Sequence, residues 1–153
     1  MKKVTVLLIG LIFIVCLSGC GNNKGQDFYG TYTFEKVSYL SPLSSSSIDY
    51  LNNKMTGTKY TITADLFKIE SAENTVEIRS PNYRKELVSK NQFYDARTLD
   101  GEGIKYQYTI YDKDGNKTHR RLYVSSHGLW IASYVDNTAN GDEIPMEIFK
   151  LSK

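Results

Sequence analysis

Few side chains in this sequence are equipped for chemistry. There are two histidines, His119 and His127, and two cysteines, Cys16 and Cys20. His119 abuts Arg120 and Arg121, and His127 sits beside Gly128 in a turn. A zinc site would need carboxylates brought in from elsewhere to complete its ligands, so no metal is expected. The run Ser44-Ser45-Ser46-Ser47 lies where a helix begins, which capping explains. No Gly-x-Ser-x-Gly elbow is present to expose a serine nucleophile. Asp112-x-Asp114-x-Asn116 has the opening spacing of a calcium loop. That loop needs Gly at its sixth position and Glu at its twelfth. Here Gly115 falls at the fourth position and Tyr123 at the twelfth. The segment reads instead as a hairpin turn, and the acidic run at residues 136–143 as a solvated loop. The expectation is a protein that is not an enzyme and uses no cofactor.

A more suggestive grouping is an arginine among aromatics, and it depends on strands. All 12 tyrosines follow residue 28, and Tyr, Thr, Ile and Val fill short runs separated by Gly, Asn, Asp and Ser. This is the pattern of an all-β domain. Strands are predicted at 29–39, 59–63, 66–71, 75–80, 85–89, 104–112, 118–125, 129–134 and 143–151. One short helix, capped by Ser46 or Ser47 and running to Met55, precedes the second strand. Ile104, Tyr106, Tyr108 and Ile110 alternate with polar residues, so the even-numbered face points inward. A three-residue loop with Gly115 in the left-handed position sets Tyr106 opposite Leu122 and Tyr108 opposite Arg120. The same reasoning at Ser126-His127-Gly128 pairs Val124 with Trp130 and Arg120 with Tyr134, leaving Ile131 facing outward. The expected ligand-binding face is therefore Tyr106, Tyr108, Arg120, Leu122, Val124, Trp130 and Tyr134. Arg121 falls on the outer face, where its loss should matter little. Tyrosine hydroxyls need partners in a sealed core and suit a lined pocket.

The N-terminus sets where such a domain would work. Lys2 and Lys3 precede an apolar run at residues 4–17, which ends in Leu17-Ser18-Gly19-Cys20. The run is shorter than the ~20 residues that span a bilayer. All four terminal positions resemble the lipobox of bacterial lipoproteins, which implies that residues 1–19 are a signal peptide and that Cys20 is lipidated. Residues 20–27 then form a polar, flexible tether, and residues 28–153 the folded domain. Lys2 and Lys3 leave with the signal, so 17 of the 19 basic residues remain against 17 acidic ones. That balance excludes the basic surface of a nucleic-acid binder. With Cys16 removed and Cys20 acylated, no thiol is left for a disulfide. Arg79, Arg84, Lys85 and Lys90 read as the salting of an exposed edge strand or as attraction to an anionic membrane surface.

Gly30-Thr31-Tyr32 on the first strand, the short helix, and Gly57-Thr58-Lys59-Tyr60-Thr61-Ile62-Thr63 resemble the lipocalin-like arrangement. With its lipobox the chain is similar to the small Bacillus lipoproteins of the YxeF type. The resemblance implies an antiparallel lipocalin-like β-barrel of about eight or nine strands enclosing a small hydrophobic ligand. Closure of that kind removes edge strands. The expectation is a monomeric, lipid-anchored protein on the extracytoplasmic face of the cell membrane. It would hold a small hydrophobic or amphipathic ligand, with Arg120 orienting a polar end. The alternative is a protein-binding module with a filled barrel, an envelope stress factor or hydrolase inhibitor. Cys20→Ala should abolish acyl labelling and leave a precursor roughly 2 kDa heavier; palmitate labelling with gel migration checks both.

Overall fold

A computed structural model of the chain describes residues 26–88, 99, 101–104, 106–136 and 143–153. The signal segment, Cys20, most of the tether, Lys90 and the loop at 137–142 lie outside the described residues. The elements are β1 (Gly30–Leu40), α1 (Ile48–Met55), β2 (Lys59–Ile62), β3 (Leu66–Glu70), β4 (Thr75–Arg79), β5 (Asn82–Leu87), β6 (Tyr106–Tyr111), β7 (Lys117–Ser125), β8 (Gly128–Asp136) and β9 (Glu143–Ser152). Every element begins and ends within three residues of its sequence-derived bounds.

The nine strands form one antiparallel sheet in the order β4-β3-β2-β1-β9-β8-β7-β6-β5. Apart from β4 and β5, strands successive in sequence are neighbours in the sheet, and β1 pairs with β9, the last strand. β4 and β5 are consecutive in sequence yet form the two sheet edges, and among the described residues no ladder joins them. The sheet is thus not closed into a barrel. It does curl. Phe28, just ahead of β1, lies 4.5 Å from the Tyr108 ring and 5.4 Å from that of Tyr83. In a flat sheet, four ladder steps of ~4.8 Å would separate β1 from β6. Accordingly Phe67 and Ile69 of β3 share one apolar cluster with Ile110 of β6, Leu122 of β7, Ile131 of β8 and Phe149 of β9.

The two C-terminal hairpins decide which side chains enter that core. At the first, Gly115 has φ +82° and Asp112 N–H donates to Asn116 O at 3.0 Å, as the three-residue turn requires. An irregularity between Thr109 and Tyr111 then shifts the ladder by two residues, so Tyr106 opposes Val124 and Tyr108 opposes Leu122. The shift is even, so the predicted inward face survives. At the second hairpin the register differs from expectation by one. Ser125 opposes Gly128, Val124 opposes Leu129 and Leu122 opposes Ile131. Ile131, expected outside, is 2% exposed in the main core.

Trp130 and Tyr134 consequently leave the predicted face. With Tyr123, Ala132 and Ile148 they build a second cluster on the outer side of the sheet, covered by Leu99 and flanked by Tyr39, Val88 and Ile104. This pair therefore packs in a sealed layer and lines no inner pocket. Trp130→Ala should cost about 3–5 kcal/mol of stability by urea unfolding, while leaving intact any ligand site on the inner face.

α1 is set by its own sequence. The Ser47 hydroxyl accepts from Tyr50 N–H at 3.2 Å as N-cap, Asp49 sits in the first turn and Lys54 in the last. Leu51 is buried, and Asn52 Oδ1 accepts from Val37 N–H of β1 at 2.9 Å.

Candidate functional site

A cavity of about 360 Å³ opens between α1, the β3–β4 hairpin and the inner face of β7–β9. Leu51, Met55, Ile69, Val76, Ile131 and Phe149 form its apolar walls. Most of these belong to the main core or pack against it, so the cavity is a gap at one end of the curled interior. Its polar groups come from a row across three strands: Arg120 pairs with Ser133 and Ser133 with Glu147. Tyr60 faces them from β2. At the rim, Lys54 Nζ bonds Glu73 Oε2 at 2.9 Å.

Arg120 is the only one of the seven predicted ligand residues in this cavity. Its guanidinium reaches Ser133 Oγ at 3.5 Å, the long limit of a hydrogen bond. Among the described residues no carboxylate lies within 4.0 Å of it. Burial lowers its pKa against the opposing influence of Tyr60 and Glu147. Burial likewise raises the Glu147 carboxyl, against Arg120 and Lys54, and pushes the Tyr60 phenol up.

The remaining predicted residues are dispersed. Tyr108 and Leu122 are core residues. Tyr106 is 37% exposed beneath Lys85, whose Nζ stands 3.7 Å from the ring centroid. Val124 lines a second cavity of about 400 Å³ at the end of the sheet near Phe28 and His127. Sequence reasoning missed Tyr60, Ser133 and Glu147. Glu147 carried a readable signal: it is in phase with Phe149 and Leu151, an acidic residue at an inward position.

Arg121 also departs from expectation. It does lie on the outer face, but that face is covered, and Arg121 is 8% exposed. Its guanidinium stacks 4.0 Å from the Tyr134 ring and pairs with Glu143, which also binds Lys117. Tyr134 in turn shares a hydroxyl contact with Tyr123. His119 Nδ1 lies 3.9 Å from Asp136 and 4.0 Å from Glu143. These three residues could supply metal ligands, but Lys117 and Arg121 already neutralise Glu143, and the group reads as an ion-pair network. Burial raises the Glu143 pKa, yet Lys117 and Arg121 outweigh it and leave the carboxyl below its ordinary value.

No family model, curated protein or solved structure matches the chain.

The two neighbouring arginines should therefore behave oppositely. Arg121→Met removes the more buried partner of Glu143, leaving only the more exposed Lys117, and should cost on the order of 2 kcal/mol at pH 7. Arg120→Met should keep or raise stability in the same urea titrations. Because the folded pKa of Glu143 is depressed, its contribution is present above the unfolded carboxylate range and lost as pH falls through the folded value. The gap between parent and Arg121→Met should shrink accordingly in acid.

Proposed function

We propose that this protein is a lipid-anchored, extracytoplasmic binding protein of lipocalin-like build, with Cys20 as the anchor and a small amphipathic ligand held in the α1 cavity. The observation that carries the reading is a cavity with apolar walls and a half-buried arginine that has no close carboxylate among the described residues. Charges removed from water are costly unless paired, so an arginine in this setting favours a ligand that completes its shell. The volume falls in the range of small-molecule sites. The curled sheet, with β1 paired to β9, supports a barrel-like frame whose seam lies between β4 and β5. The lipobox supports the location.

One observation favours the second reading, a docking module for a protein. Leu43, Ile48 and Tyr50 are all exposed in and just before α1, and Tyr50 also lines the cavity. A chain beginning at Asp27 separates the two. Nile red, an uncharged apolar probe, should bind it saturably at one site, and Val76→Trp should fill the cavity and abolish that binding with little change in melting temperature. A parent chain with no saturable probe binding would leave the docking reading in its place.

A further inference from the structure

The charge arrangement inside the cavity narrows the ligand class, given the reading of the cavity as a ligand site. Two opposite charges face the same space from β7 and β9, with Ser133 of β8 between them. Neither Arg120 nor Glu147 has an ionic partner within 4.0 Å among the described residues, and they do not close on each other. Each nevertheless feels the other's charge. The further charges at this site, Lys54 and Glu73, are already paired at the rim. The cavity is thus neutral overall but holds a separated positive and negative group.

A monoanion would satisfy Arg120 and be repelled by Glu147. A monocation would meet the reverse. A ligand carrying both charges close together satisfies both, and the Tyr60 and Ser133 hydroxyls can bond its polar end. The apolar walls take an aliphatic or aromatic group. About 360 Å³ corresponds to roughly a dozen water volumes, enough for one small molecule and too little for a long acyl chain. We infer that this cavity takes a small zwitterion, a free α-amino acid with an apolar side chain, whose carboxylate meets Arg120 and whose ammonium meets Glu147.

Glu147 must be ionised to hold the ammonium. The groups that face it are Arg120 from β7, Lys54 and Tyr50 from α1, Tyr60 from β2 and Glu73 from the β3–β4 turn. Burial makes its carboxyl easier to protonate, so affinity should fall as pH drops through its pKa.

The test uses the full chain in phosphatidylcholine nanodiscs and isothermal titration with L-leucine and L-phenylalanine. Either should bind at one site per chain. N-acetyl-L-leucine, L-leucinamide and hexanoate should each bind at least about tenfold more weakly, since each lacks one charge. Arg120→Met and Glu147→Gln should weaken leucine by a similar factor while melting no lower than the parent, which shows that they remain folded. Hexanoate binding as tightly as leucine, or tighter leucine binding by Glu147→Gln, would overturn the assignment. Saturable Nile red binding without leucine binding would refute it while the cavity reading stands. Failure of both ligands would refute the two together.

Discussion

The rest of the structure depends on the two-residue turn Ser126-His127. Placing Ser125 opposite Gly128 fixes Leu122 against Ile131 and Tyr123 against Trp130. Because side chains alternate with a period of two, a slip of one residue would turn every position of β8 to the other face. β9 is built on β8, and β1 on β9, so the assignment propagates across the middle of the sheet. Leu129 and Ile131 point into the main core in the observed register. Each buried aliphatic side chain contributes about 1.5–3 kcal/mol relative to exposure. The competing register would turn both of them away from that core, and it would move Ser133 out of line with Arg120 and Glu147.

The same alternation separates Arg120 from Arg121. One face offers Arg121 a carboxylate and an aromatic ring, and there it helps tie β7 to the start of β9. The other offers Arg120 a distant hydroxyl and a carboxylate that stays beyond pairing distance. Adjacent residues of one type thus receive opposite electrostatic environments. Arg121 completes a buried network whose members satisfy one another. Arg120 and Glu147 stay apart in a space large enough for a third party, which is why the functional reading attaches to them.

Element positions were legible in the sequence, because runs rich in Tyr, Thr, Ile and Val broken by turn residues mark strands locally. The Gly115 turn was legible for the same reason. The faces were less so. β8 reads Gly-Leu-Trp-Ile-Ala-Ser-Tyr-Val-Asp, apolar at odd and even positions alike, since both sides of the sheet are covered here. A strand buried on both faces carries no alternation from which to choose a register. Arg120 was found because a charge stands out at an inward position. Glu147 reaches it only through the β7-β8-β9 register, which the sequence left open, and Tyr60 comes from β2, which only the curl of the sheet brings across. The expectation of closure rested on the need to remove edges. Here the edges bear charge instead: Arg79 bonds Glu77 at 2.6 Å, and Arg84 and Lys85 lie over the rings of Tyr111 and Tyr106. Charged edge strands resist pairing with other chains without a barrel seam.

How α1 comes to wall the cavity follows from a defect in β1. That strand pairs with β9 irregularly, with shifts between Phe34 and Lys36 and between Val37 and Tyr39. Such irregularities bend a strand and release backbone groups from the ladder. Val37 N–H finds its acceptor in the Asn52 side chain at 2.9 Å, in the middle of α1. A partly buried amide left without an acceptor would cost about 1–3 kcal/mol, so the irregular strand and the helix stabilise each other. The bond fixes one face of α1 to β1, with Leu51 buried beside it and Lys54 reaching across to Glu73 on the β3–β4 turn. A regular β1 would keep Val37 N–H within the sheet and leave the helix without this tether. The irregularity in β1 is in that sense part of the site: it holds the helical wall at a distance from β7–β9 that leaves room between them.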